Sequence, residues 1–191
     1  MRLFVALDVP EHVGAAIAGL SAKLRLTCPS ARWVRIEGAH VTLKFIGEVS
    51  AERADEIKAA LATVLFSTAV PIHFTGVGFF PNDRRPRVLW AGVEASAELA
   101  ALAVAVDSAL GSLGFAPETR AFSPHLTLAR FDPPGGKGTL DALHAAIAKA
   151  GPFEFGKTVE DEFHLYLSVL KRGGAEYTRL ATFYSEGSKP R

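Results

Sequence analysis

A strand–helix–strand unit written twice restricts what this chain can fold into more than any other feature. Residues 3–10 (LFVALDVP) form an apolar run closed by Asp8 and Pro10, the pattern of a buried strand. Val13, Ile17, Leu20 and Leu24 follow at helical spacing, so residues 11–26 read as an amphipathic helix. Residues 38–45 (GAHVTLKF) then alternate like a strand and close at Gly47. The same order returns with an apolar strand at 88–93 and a helix that Ser96 can cap. That helix carries Leu99, Leu102, Val106, Leu110 and Leu113, with Gly111 and Gly114 to end it, and a strand at 124–128 (PHLTL) follows. The leading strands begin at 3 and 88, and the closing strands carry His40 and His125; both separations are 85 positions. The spacing predicts two similar halves.

Other elements fill the gaps. Ser50 can cap a helix bearing Ala54, Ile57, Leu61, Val64 and Leu65, and residues 70–80 are rich in strand formers. Thr139 is placed to cap a short helix through Leu143 and Ile147. Residues 163–170 alternate as a strand, Thr178 to Phe183 gives another, and Gly and Pro at 133–138 predict a loop.

At 191 residues and 49% apolar, the chain can bury a core as one domain, 1–191, made of two small interleaved lobes. A net charge of +1 gives no whole-molecule field for nucleic acid, so any such partner must be held by a local patch. Cys28 stands alone, which excludes an internal disulfide and a cysteine-based zinc site. The apolar start is too short for a signal segment or a membrane span. A cytoplasmic monomer with no membrane association is expected.

Within the repeat, chemistry gathers on two tetrapeptides. Residues i and i+2 of a strand share a face, so His40 sits beside Thr42 and His125 beside Thr127. Val41, Leu43 and Phe45, and likewise Leu126 and Leu128, are expected to point to the core. With six histidines and eleven threonines, two His-x-Thr pairs arise by chance at roughly 5%. Apolar neighbours at +1 and +3 in both copies reduce that to roughly 0.3%. Opening a cyclic phosphodiester needs a base to deprotonate water and an acid to protonate the departing ribose oxygen. Histidine serves either role near neutrality, and threonine hydroxyls can donate to the non-bridging oxygens. Neither a metal nor any other cofactor enters this scheme.

The segments His40-Val41-Thr42-Leu43-Lys44-Phe45-Ile46-Gly47-Glu48 and Ser123-Pro124-His125-Leu126-Thr127-Leu128-Ala129-Arg130 resemble the paired motifs of the 2H phosphoesterase superfamily. They are most similar to its RNA 2′,3′-cyclic phosphodiesterase branch, also called 2′-5′ RNA ligases. The likeness takes in Arg2-Leu3-Phe4-Val5-Ala6, Pro86-Arg87-Val88-Leu89-Trp90 and Leu165-Tyr166-Leu167-Ser168. It implies a bilobal, pseudo-symmetric α+β fold, with antiparallel sheets lining a central cleft and helices outside. It also implies His40 as proton donor, His125 as proton acceptor and a 2′-phosphate product; symmetry alone leaves the two roles open. RNA or nucleotides with 2′,3′-cyclic phosphate ends are the implied partners. Ligation by the reverse reaction, a small cyclic nucleotide as substrate, and a non-catalytic RNA-end binding module are the alternatives.

Around this pair, Lys44 shares the Thr42 face by strict alternation and is a candidate phosphate contact. Arg130 falls on the wrong parity unless its strand bulges, although the resemblance favours a phosphate contact there. Arg84, Arg85 and Arg87 beside Phe79 and Phe80 form the densest basic patch, suited to phosphates and stacked bases. Arg32, Trp33 and Arg35 repeat that theme more weakly. His12, His73, His144 and His164 lack a threonine at +2 and read as structural or exposed. Gly135-Gly136-Lys137-Gly138 fails as a phosphate loop because Phe131 stands where glycine is required. No HExxH zinc motif or GxSxG nucleophile elbow is present.

Overall fold

The computed structural model describes residues 1–36, 38–66, 69–131, 137–171 and 174–188. Its elements run β1 (Arg2–Asp8), α1 (Glu11–Thr27), β2 (Arg32–Trp33), β3 (His40–Glu48), α2 (Ala51–Leu61), β4 (Val70–Phe80) and β5 (Val88–Glu94). They continue with α3 (Ala97–Gly111), β6 (His125–Arg130), α4 (Lys137–Ala150), β7 (Glu154–Glu160), β8 (Glu162–Lys171) and β9 (Gly174–Tyr184). One antiparallel sheet has the order β3-β1-β8-β9 and the other β2-β6-β5-β4-β7. The α+β architecture expected from the sequence is therefore present. Each sheet also recruits strands from the opposite half of the chain: β8 and β9 extend the first, β2 and β4 the second.

Apolar spacing explains the layers. Val13, Ile17, Leu20 and Leu24 line the buried stripe of α1, which packs against α4 and β7. Helix α3 buries Leu99, Leu102, Ala103, Val106 and Leu110, and touches α2, β3 and β4. Ser96 and Ser50 cap as anticipated, accepting from the backbone N–H groups of Leu99 (3.1 Å) and Arg53 (3.3 Å). Helix α4 already begins at Lys137, so Thr139 lies in its first turn and is not the cap. Residues 132–136, most of the expected 133–138 loop and half of the Gly135–Gly138 segment, lie outside the described residues.

Strand pairing reveals the device that matters most for the site. Along β1 and β3, Ala6 faces Thr42 but Val5 faces Lys44, so Leu43 is one residue too many. Along β5 and β6, Trp90 faces Thr127 but Leu89 faces Ala129, so Leu128 is the extra residue. The two bulges are again 85 positions apart, and an extra residue inverts the facing of those that follow until the next shift, which in β3 comes at Ile46. Lys44 and Ala129 are consequently buried, while Phe45 (69% exposed) and Arg130 emerge on the side of the histidines. The expectation that Phe45 points to the core is thus overturned. The ladder also corrects the repeat length of the leading strands. Asp8 lies opposite His40 and Gly92 opposite His125, an offset of 92 − 8 = 84.

His73 joins three strands of the second sheet. Its Nδ1 lies 2.6 Å from Glu94 on β5 and its Nε2 2.5 Å from Glu154 on β7. Carboxylates only accept, so both ring nitrogens carry hydrogen and the imidazolium is favoured. Hydrogen bonds to Glu94 and then Glu154 raise its pKa. A raised folded-state pKa adds stability that is full below the unfolded value, about 6.5, and is lost as pH climbs through the folded value. His73→Gln is therefore expected to lower the melting temperature by about 1–3 °C at pH 5.5 and by nothing measurable at pH 9. A pH-independent gap in calorimetry would contradict the ionic bridge.

Candidate active site

Both histidines begin their strands, and both are anchored by the same backbone contact. His40 Nδ1 lies 3.1 Å from the Gly38 carbonyl and His125 Nδ1 lies 2.9 Å from the Ser123 carbonyl. A carbonyl only accepts, so each Nδ1 carries hydrogen and each Nε2 is left for chemistry. Val41 and Leu126, both buried, pin the strands from behind. The two strands meet, since β3 and β6 are in contact although they belong to different sheets. Thr42 and Thr127 are each half-buried, on the same face as their histidine. Neither hydroxyl bonds to protein among the described residues.

The surroundings of the two rings differ. Phe4, Tyr177 and Tyr166 enclose His40, with ring centroids 4.4, 4.8 and 6.1 Å away. Burial among them lowers the His40 pKa, while the Gly38 hydrogen bond and the charge of Asp8 pull it upward. His125 instead meets the edge of Phe80, centroid to centroid 4.9 Å, and Phe80 in turn leans on Trp90 at 5.3 Å. Phe79, its neighbour, faces the other way onto Phe131 and His144. Of the two phenylalanines singled out in sequence, only Phe80 reaches the site.

Lys44 does not. The bulge at Leu43 turns it inward, where its ammonium pairs with Asp107 and donates to the Ala116 carbonyl at 2.7 Å. It is 8% exposed, and its expected contact with substrate phosphate is withdrawn. Arg130 is brought round by the matching bulge to the face of His125 and Thr127, exposed and without an ion pair among the described residues. Arg87 is exposed beside it, one residue before the Val88 that pairs with Arg130. Arg32 lies opposite Arg130 on β2. Arg84 and Arg85 are also exposed, on a turn where Asn82 Oδ1 accepts both their backbone N–H groups, at 3.1 and 3.0 Å. Arginines thus gather at the β5–β6–β2 end of the second sheet.

The remaining histidines sit apart from this chemistry or serve the scaffold. His164 is 1% exposed, with Nδ1 3.1 Å from the Thr182 hydroxyl. His144 packs edge-on to Phe79, and His12 lies exposed on α1. Among the described residues no three His, Cys, Asp or Glu side chains are arranged to hold a metal ion. The sequence marks Asp8 only as the close of the first strand and Tyr166 only as part of an alternating one, and it gives Tyr177 no signal, because nothing in a sequence says which strands become neighbours. The Gly38 and Ser123 carbonyls carry no side-chain signal at all.

Comparison with known proteins agrees with the duplicated geometry. The family model described as LigT like Phosphoesterase matches twice, over residues 7–90 and 92–177. A protein of Archaeoglobus fulgidus named RNA 2′,3′-cyclic phosphodiesterase is 34% identical over 183 residues, 96% of this chain and 99% of its own. One of the same name from Aeropyrum pernix is 40% identical over 148 residues, 77% and 82% of the two chains. The crystal structure of a Thermus thermophilus protein superposes with a TM-score of 0.78 at 30% identity, covering 96% and 97%. E. coli LigT complexed with 3′-AMP does so at 0.77 and 28%, with the same coverage. Two matched copies spanning nearly the whole sequence, each containing a His-x-Thr strand, place this chain in the LigT-like phosphoesterase family.

Proposed function

We propose that this protein hydrolyses RNA 2′,3′-cyclic phosphodiester ends to 2′-phosphomonoesters without a metal, with His40 as proton donor and His125 as proton acceptor. The observation that carries this reading is the matched pair of anchored imidazoles, each with Nδ1 tied to a carbonyl two residues upstream and Nε2 without a partner among the described residues. His125 Nε2 takes a proton from water as its oxygen attacks phosphorus. The P–O3′ bond breaks, and the departing O3′ takes a proton from His40 Nε2. Exchange with solvent then restores both rings. Thr42 and Thr127 donate to the non-bridging oxygens, where negative charge grows in the transition state. Arg130 and Arg87 attract the phosphates of the adjoining nucleotides, and Phe80 offers a ring to a base next to His125. The curated relatives' shared name supports the substrate class. Strand exchange between the sheets supports one domain of two interleaved lobes.

Product identity tests this directly. An RNA oligomer ending in a 2′,3′-cyclic phosphate, incubated with the protein in excess chelator, is expected to yield only the 2′-phosphate, resolved from the 3′ isomer by NMR. Formation of the 3′-phosphate, or loss of turnover in chelator, would overturn the scheme.

A further inference from the structure

We infer that Asp8 is the positioning residue that assigns the donor role to His40, and that the Gly92 backbone in the other half leaves His125 as acceptor. The inference rests on the two-histidine reading above. Almost everything about the two strands is copied: the His-x-Thr pair, the bulge one residue later, and the Nδ1 anchor. The residue directly opposite the histidine is not. His40 faces Asp8 across the β1–β3 ladder, whereas His125 faces Gly92 across β5–β6. Side chains of directly opposed residues stand side by side, with Cβ atoms about 4.5–5.5 Å apart. A carboxylate there favours the imidazolium, the form a donor must start from, and so works against the burial that lowers the His40 pKa.

Asp8 is held in place. The Tyr166 hydroxyl and the Arg179 guanidinium both donate to its carboxylate. Burial, aided by Asp8 itself, pushes the Tyr166 phenol up to about 12, so that donor keeps its proton throughout the working range. The glycine opposite His125 is equally committed. A Cβ at position 92 would stand 2.3 Å from the Thr75 carbonyl oxygen, so the second half has no room for a matching carboxylate. The asymmetry is therefore built into the backbone as well as the side chains.

Other charged and titratable groups lie on the strands packed near β3. Glu162, His164 and Tyr166 come from β8, Tyr177 and Arg179 from β9, and β6 brings His125 and Arg130. His164 Nε2 lies 3.6 Å from both Asp8 and Glu162, and burial lowers its pKa, which favours the neutral ring. Arg179 opposes Asp8 and tempers its field. Asp8 is the residue that pairs with His40 across the β1–β3 ladder.

The test is an NMR titration of isotopically labelled histidines in the substrate-free protein, following His40 and His125 in wild type, Asp8→Asn and Arg179→Met. Asp8→Asn is expected to lower the His40 midpoint by about half a unit to one unit, and Arg179→Met to raise it. The His125 midpoint should stay within about 0.2 unit in both. In turnover, Asp8→Asn should lower kcat about 10-fold at pH 8, less at pH 6, with KM little changed. A His40 midpoint that does not move, or rings that shift together, overturns the inference. A merely structural Asp8 predicts that second pattern. If Asp8→Asn does not fold, Arg179→Met alone decides, since an unchanged or lowered His40 midpoint contradicts the assigned sign. Because the titration uses no substrate, its result is independent of whether the proposed hydrolysis is correct.

Discussion

Replacing either His40 or His125 with alanine is expected to lower kcat on a 2′,3′-cyclic nucleotide by about 10²–10⁴-fold while changing KM little. The rings hand protons to and from groups that change charge only during reaction, so their loss acts on the transition state more than on the bound substrate. The double variant should be scarcely slower than the worse single variant, because an acid and a base that act in one concerted displacement are not additive. Wild type should show a bell-shaped pH dependence of kcat/KM, with one ring charged and the other neutral at the maximum. Burial of His40 among Phe4, Tyr166 and Tyr177 displaces its titration downward, and a bound phosphate diester is expected to pull it back up. Steady-state kinetics with the three variants measures all of this. Turnover near the wild-type rate in either single variant ends the two-histidine scheme.

The second large effect is on stability. Lys44→Met is expected to destabilise the fold by about 3 kcal/mol, because it leaves the Asp107 carboxylate, only 23% exposed, without its cation. In a domain of this size that lowers the melting temperature by about 10 °C. The pair does more than neutralise charge. Asp107 also accepts from the Glu118 backbone N–H at 3.2 and 3.3 Å, and Lys44 donates to Ala116, so the segment leading to β6 is tied to β3 and α3. Replacing both partners, Lys44→Met with Asp107→Leu, should recover most of the loss, since an apolar pair of similar volume avoids the desolvation of two ions. A lysine that held substrate phosphate would behave in the opposite way, raising KM with no change in melting temperature. Calorimetry beside kinetics separates the two.

That lysine marks the limit of what periodicity can tell. Strict alternation places Lys44 with Thr42 and Phe45 with Leu43, and the bulge reverses both. The same bulge in the other half resolves the parity conflict at Arg130, which now shares the face of His125. A bulge is a relation between two strands: Leu43 is surplus only because the neighbouring Val5 and Ala6 of the partner strand pair with Lys44 and Thr42. Strands β2 and β7 went unread for a related reason. One is two residues long and the other is an edge strand of mixed polarity, so neither carries an alternation strong enough to recognise.

What the chain determined by itself is local and repetitive: the helices with their serine caps, the apolar strands, the two His-x-Thr tetrapeptides and their 85-residue spacing. These depend on neighbours within a few positions, or on comparing the chain with itself. Tertiary structure decided which strands lie side by side, and through that which residues surround each histidine. Phe4, Tyr166 and Tyr177 reach His40 from three strands, and Asp8 stands across from it while Gly92 stands across from His125. Two strands that share the same His-x-Thr-Leu start thereby acquire unlike electrostatic settings, because a ring's protonation depends on charges and burial supplied by residues up to 137 positions away (177 − 40).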